Sequence, residues 1–193
     1  MKVFVTGVNG QLGHDVMNEL AKRGYEGIGS DLAPEYAGVA DDTAVTKAPY
    51  LSLDITNAEA VDKVICDVNP DVIIHCAAWT AVDMAEDDDK VAAVRNVNVN
   101  GTQNIANVAK KLDVPMVYLS TDYVFDGQGT TPWKPDFKGY KPMNVYGETK
   151  LGGEEAVANT LDKYFIVRIA WVFGVNGHNF IKTMLKVGKS HDE

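Results

Sequence analysis

Tyr146 and Lys150 stand four residues apart in the segment NVYGETKLGGE, residues 144–154. On a helix that spacing brings both side chains onto one face. A free tyrosine ionises near pH ~10, and a neighbouring cation favours the phenolate and lowers that value. The pair therefore has the makings of a proton donor tuned toward neutral pH. The same spacing also describes an ordinary amphipathic helix whose lysine stretches along its surface to water. What lies beside the pair has to decide between the two.

A second group of residues suits phosphate. Thr6-Gly-Val-Asn-Gly-Gln-Leu-Gly13 carries Gly7, Gly10 and Gly13 in the order G-x-x-G-x-x-G. Where a strand turns tightly into a helix, glycine lets a diphosphate approach the backbone, and the helix N-terminus offers N–H donors and the positive end of its dipole. Asp31 follows Gly7 at close to the roughly 20-residue spacing expected of a carboxylate that binds the adenosine ribose. This context reads as a dinucleotide site. Asp31 favours NAD over NADP, because it would repel a 2′-phosphate, although an Asp there is also a common turn residue.

The elements that must position these groups alternate. Lys2–Thr6, Glu26–Ser30, Leu51–Leu53, Val72–Cys76, Met116–Ser120 and Phe165–Ala170 read as strands. Helical patterns run over Gln11–Arg23, with Leu12, Val16, Leu20 and Ala21 on one side, and from a capping box at Thr56–Glu59 to about Val68. A long helix is expected over Asp87–Leu112, another contains Tyr146, and a last one covers Asn179–Val187. Leu32–Tyr50 and Thr130–Pro142 read as irregular. Strands joined by helices predict one α/β fold, a doubly wound parallel sheet with helices on both faces, over residues 1–193.

In such a sheet, ligands bind beyond the C-terminal strand ends. Those ends are the glycine loop, Asp31, Asp54-Ile55, Cys76-Ala-Ala-Trp-Thr80, Ser120-Thr-Asp-Tyr123 and Ala170-Trp-Val-Phe-Gly174. Small residues at Ala77 and Ala78 would let a cofactor lie against the backbone, and the hydroxyls of Ser120 and Thr121 emerge where a carbonyl oxygen could be gripped. His75, inside a strand, reads as a satisfied core histidine. Asp87-Asp-Asp89 reads as an acidic cluster complementing a helix dipole, so no metal is assigned.

Bulk properties narrow the partners. The chain has 193 residues, 46% hydrophobic and 23% charged, which suits a globular domain. Its formal net charge of −9 argues against nucleic acid or an anionic membrane as main partner. No apolar run approaches the length of a membrane span, and the N-terminus lacks the pattern of a secretion signal. Cys66 and Cys76 read as reduced core thiols of a cytoplasmic protein.

Taken together, the glycine triplet, Thr121, Tyr146 and Lys150 resemble the extended short-chain dehydrogenase/reductases, which act on nucleotide sugars on a Rossmann-type fold. GQLG (10–13), AWTAVDMAE (78–86), STDYVFDG (120–127), NVYGETKLGGE (144–154) and RIAWVFGVNGHNF (168–180) are similar to the branch that reduces dTDP-4-dehydrorhamnose. The resemblance implies that Tyr146 protonates the C4 ketone oxygen as NADH or NADPH delivers hydride. Lys150 would hold the nicotinamide ribose and lower the tyrosine pKa, Thr121 would bind the same oxygen, and Asn98 would support a proton relay. Gly7, Asn9, Gly10, Gln11, Leu12, Gly13, Asp31, Asp54, Ile55, Ala77, Ala78 and Trp79 would contact the cofactor. Val82, Asp122 and Trp171, with Thr121, would meet the sugar nucleotide. A homodimer is compatible with the resemblance. Members of the family are longer, so a C-terminal portion that closes over the substrate is expected beyond Glu193. Two alternatives stand beside the reductase. One is a non-enzymatic NADP-binding regulatory subunit of the methionine adenosyltransferase type; the other is a nucleotide-sugar epimerase or dehydratase.

Overall fold

A computed structural model describes residues 1–190. Six strands form one sheet: β1 (Lys2–Thr6), β2 (Glu26–Asp31), β3 (Tyr50–Ser52), β4 (Val72–His75), β5 (Met116–Thr121) and β6 (Tyr164–Ile169). Their order is β3-β2-β1-β4-β5-β6, and every pairing is parallel. The chain steps outward from β1 to β3, then returns to the centre and steps outward the other way. That reversal between β1 and β4 opens a crevice at the C-terminal strand ends. The expected doubly wound α/β fold is the one observed.

Helices α1 (Gln11–Lys22) and α2 (Ala44–Lys47) cover one face, where Val3, Val5, Val8, Met17, Leu20 and Val45 form a core. The other face carries α3 (Ala58–Val68), α5 (Thr102–Leu112) and α6 (Val145–Thr160), packed over Phe4, Ile28, Ile73, Met116 and Tyr118. Strand residues alternate between the two faces, so Phe4 serves one core while Val3 and Val5 serve the other. Beyond β5 the α1 side is open, leaving Phe165 and Val167 exposed. The last helix, α7 (Phe180–Ser190), buries no residue. Among the described residues no helix is long and apolar enough to cross a membrane.

Local details differ from the sequence expectation. The buried side of α1 is Gly13, His14, Met17 and Leu20, with Ala21 exposed, because His14 turns inward to polar partners. Thr56 does not cap α3. Asn57 does, accepting from the Ala60 N–H, while Thr56 is held by Asp54 through both its N–H and its hydroxyl. The long helix expected over Asp87–Leu112 begins only at α4 (Val91–Arg95), after a separate 3₁₀ turn (Asp83–Glu86), and runs into α5 through a π-helical segment (Asn96–Gly101). Asp87–Asp89 precede α4 rather than forming its first turn, and Asp89 pairs with Lys90 at 2.8 Å.

Candidate active site

A cleft of about 750 Å³ crosses the C-terminal ends of the strands. Following the sheet order, its lining runs from Asp54 and Ile55 after β3, past Asp31 on β2 and the β1 loop, to Ala77 and Ala78 after β4. It ends at Thr121 and Asp122 on β5, with Tyr146 and Lys150 on α6. Segments far apart in sequence meet here because each follows the same end of a parallel strand.

At the β1 loop the backbone leaves no room for side chains at Gly7 and Gly13. Gly7 has φ +75°, and a Cβ there would come within 2.6 Å of the Ala77 N. Gly10 is the N-cap of α1 and makes no side-chain cap hydrogen bond, so the first-turn N–H groups face the cleft without a capping side chain. A Cβ on Gly10 would fill space bounded only by the Gly7 carbonyl at 3.3 Å. This uncapped positive helix end, beside bare backbone, has the shape and charge for a diphosphate. Asp31 anchors the arrangement: its Oδ2 accepts from the Asn9 N–H at 2.9 Å and its Oδ1 from the Leu32 N–H at 2.8 Å.

At the other end, α6 starts cleanly because the Asn144 Oδ1 accepts from the Gly147 N–H at 2.7 Å. Tyr146 follows at once and packs edge-to-face on Tyr123, with ring centroids 5.7 Å apart. Thr121 ends β5, accepting from the Tyr123 N–H and donating to Asp122 Oδ1, each at 3.2 Å. Lys150 is buried; its Nζ donates to the Leu119 carbonyl at 2.7 Å and lies 4.1 Å from the Tyr118 ring centroid.

The electrostatics correct one expectation. Tyr146 is raised, not lowered, above its ordinary value: burial is the largest cause, the Thr121 hydroxyl opposes it, and Asp122 adds to it. Lys150 is not among the influences on Tyr146. Its own pKa falls to about 7, chiefly through desolvation, with the Glu154 charge opposing. The ammonium is committed to a backbone carbonyl rather than to the phenol.

Of the residues singled out from the sequence, Gly7, Gly10, Gln11, Leu12, Gly13, Asp31, Asp54, Ile55, Ala77, Ala78, Val82, Thr121, Asp122, Tyr146, Lys150 and Trp171 all line the cleft. Asn9, Trp79 and Asn98 do not. The Asn9 carboxamide accepts from the Ala37 N–H at 3.0 Å, which fastens the loop after β2. Asn98 is buried in the π-helical segment and bonds both backbone groups of Trp79, its Oδ1 to the N–H at 2.8 Å and its Nδ2 to the carbonyl at 3.2 Å. The same Nδ2 donates to Thr149, whose hydroxyl donates to the Tyr146 carbonyl at 3.0 Å. Asn98 thus reaches the cleft only indirectly, through the Trp79 backbone beside Ala78 and through Thr149 to Tyr146. Gln11 lines the cleft, but its Oε1 accepts from Asn179 at 3.1 Å, tying α1 to the segment before α7.

Sequence reasoning did not single out Ser30, Leu32, Val97, Leu119 or His178 in the lining. Ser30 and Leu119 belong to strands whose ends were recognised, so only their inward direction was unread. Trp171, exposed and edge-on to Phe180, has φ 53°, a strained value for a bulky residue that no sequence pattern announces.

The sequence matches the RmlD substrate binding domain family over residues 1–193. It is 35% identical to dTDP-4-dehydrorhamnose reductase of Escherichia coli K12 over 194 residues, covering 100% of this chain and 58% of that protein. A crystal structure of a Clostridium acetobutylicum dTDP-4-dehydrorhamnose reductase superposes with a TM-score of 0.85 at 39% identity, covering 100% of this chain and 61% of the other. The Bacillus anthracis dTDP-4-dehydrorhamnose reductase, solved in complex with NADP, gives 0.80 at 36% identity, covering 98% and 60%. The chain therefore spans less than two thirds of the length of these relatives.

Proposed function

This chain belongs to the RmlD substrate binding domain family, and from that premise we propose that it carries the cofactor site and proton donor of a dTDP-4-dehydrorhamnose reductase. The observation that carries the reading is the meeting of Thr121, Tyr146 and Lys150 in the same cleft as the uncapped glycine-loop helix end. Gly7, Gly10, Gln11, Leu12 and Gly13 would hold the diphosphate of a nicotinamide dinucleotide, with Asp31 toward the adenosine ribose and Asp54 and Ile55 at the adenine. Ala77 and Ala78 would let the nucleotide lie close to the backbone, while Asn9 and Trp79 would serve by shaping the walls. Val82, Asp122 and Trp171 would face the sugar nucleotide.

When bound, the reduced nicotinamide supplies the hydride. The chain's own part is to complete the alcohol: the Tyr146 phenol gives its proton to the ketone oxygen while the Thr121 hydroxyl donates a hydrogen bond to the same atom. Negative charge grows on that oxygen as the carbonyl is reduced, so donors aimed at it favour the transition state over the ground state. A raised Tyr146 pKa suits the role, since a donor must still hold its proton at neutral pH. Lys150 would hold the nicotinamide ribose. Asn98 would act by position, fixing Trp79 and the start of α6.

The anchored Asp31 carboxylate favours NADH, by repulsion of a 2′-phosphate. The test follows nicotinamide absorbance while the complete protein meets dTDP-4-dehydrorhamnose, with NADH and NADPH in parallel. Tyr146→Phe is expected to lower turnover by roughly a hundredfold or more while leaving cofactor binding intact. Cofactor bound but never consumed by the unaltered protein would overturn the reductase reading in favour of a non-enzymatic one.

A further inference from the structure

Tyr146, Lys150 and Glu154 succeed one another at intervals of four along α6 and share one side of the helix. Glu154 is only 3% exposed. The stripe grips the end of β5 residue by residue: Lys150 Nζ donates to the Leu119 carbonyl at 2.7 Å, and the Ser120 hydroxyl donates to Glu154 Oε1 at 2.6 Å. The neighbouring strand completes the arrangement. Arg168 of β6, in register with Ser120, donates from Nε to Oε1 at 2.8 Å and from Nη2 to Oε2 at 2.6 Å. Its Nη2 also donates to the Tyr140 hydroxyl at 2.9 Å, and the guanidinium lies 5.2 Å from the ring centroids of Phe125 and Tyr140.

A carboxylate buried this deeply is costly unless paired and hydrogen-bonded. The forked contact from Arg168 and the Ser120 hydroxyl supply both. Glu154 does not line the cleft, and the reaction sketched above gives it no part. Its charge is one helical turn from Lys150.

We propose that Glu154 is a positioning residue of the candidate site: the buried carboxylate, locked by Ser120 and Arg168, that keeps Lys150 an ammonium at the cleft wall. The purpose of that ammonium rests on the reductase reading; the geometry does not. Lys150 faces Tyr146 and Glu154 on its own helix, Tyr118 from β5, and His75 and Cys76 from the end of β4, with Arg168 behind Glu154. Burial raises Tyr118 and Tyr146 and pushes the Cys76 thiol up to about 12, while His75 is held neutral. Of these groups Glu154 is the one carboxylate, and it is paired with a guanidinium. Desolvation pulls Lys150 down and the Glu154 charge is the largest opposing influence.

The experiment is a pH titration of the 193-residue chain, free of dinucleotide, with lysines carbon-13-labelled at the ε position and the Lys150 resonance assigned from Lys150→Met. In Glu154→Gln the Lys150 midpoint is expected to move down, so that less ammonium remains at pH 7. A glutamine amide against Arg168 sets donor on donor and endangers folding. The double variant Glu154→Gln/Arg168→Met removes that clash together with both charges, and it is expected to shift Lys150 in the same direction. Glu154→Asp, which keeps the carboxylate, should recover part of the shift. A folded variant lacking the carboxylate in which the Lys150 midpoint stays or rises overturns the proposal. A purely structural role for Glu154 would alter stability without moving that midpoint. The titration uses neither substrate nor cofactor, so its answer stands whether or not the reductase assay succeeds.

Discussion

His75 sits in a hydrogen-bond chain whose directions are set by its ends. The Ala77 N–H donates to Thr6 Oγ1 at 3.1 Å, which leaves the Thr6 hydroxyl to donate to His75 Nδ1 at 2.7 Å. At the far end Thr102 donates to the Asn98 carbonyl at 2.7 Å, so its oxygen accepts from His75 Nε2 at 3.1 Å. Only a neutral imidazole with its proton on Nε2 completes the chain, an assignment made from the partners. Burial, then the Lys150 charge, lowers His75 to about 3. The unfolded chain takes up a proton near pH ~6.5 that the folded chain refuses until far lower, so stability falls as pH drops through that window. From pH 7 to pH 5 the wild type should lose about 2 kcal/mol more than His75→Gln, which can hydrogen-bond at both ends but does not titrate. Denaturant unfolding at the two pH values measures this, and parallel losses would remove His75 from the account. The sequence reading of His75 as a satisfied core residue needed only its place in an apolar strand. Its partners, 69 and 27 residues away, could not be read without the fold.

The π-helical segment Asn96–Gly101 shows what periodicity conceals at the level of elements. Apolar spacing over Asp87–Leu112 suits one continuous helix, and a π turn adds a residue without changing composition. The insertion turns Asn98 inward to Trp79 and Thr149, and α6 packs against the same place with two glycines. A Cβ on Gly152 would meet Val99 Cγ2 at 2.9 Å, and one on Gly153 would meet the Asn98 carbonyl at 2.8 Å as well as the Tyr118 hydroxyl. In an exposed helix interior, Gly→Ala gains about 1 kcal/mol. Here Gly153→Ala should instead cost about 1–3 kcal/mol, because the obstructing atoms include a fixed backbone oxygen. Thermal or denaturant unfolding of the variant decides it: a gain in stability would mean that α6 does not sit this close. The Tyr-x-x-x-Lys pair was readable because helical spacing is local, and Glu154 was in the same motif. Nothing in that motif says that Glu154 faces Arg168, which β6 brings into register with Ser120.

At the scale of the whole molecule, strand–helix alternation made the parallel sheet readable, and the rule that ligands gather at strand ends found most of the cleft. What it could not supply was direction: Asn9 and Trp79 lie on the right loops, and Asn98 in the π-helical segment, yet all three side chains turn to structural partners instead. The cleft spans both halves of the sheet, from Asp54 after β3 to Thr121 on β5, so a dinucleotide lying along it would bridge loops from both halves. If the cleft takes a dinucleotide as proposed, binding to the folded state alone must stabilise the chain. A hundredfold excess over Kd adds about 2.7 kcal/mol, which for a chain of this size corresponds to a rise in Tm of roughly 5–10 °C. NADH should give the larger rise at equal concentration, since the Asp31 carboxylate is fixed by two backbone N–H groups and cannot turn away from a 2′-phosphate. Asp31→Ala should narrow that gap by weakening NADH and relieving NADPH. A melting temperature that neither dinucleotide moves would exclude the cleft as their site. Equal shifts that persist in Asp31→Ala would keep the site and remove Asp31 as its selector. The outcome depends on the free energy of the whole fold and requires no turnover, so it separates binding by this chain from the catalysis proposed for the complete protein.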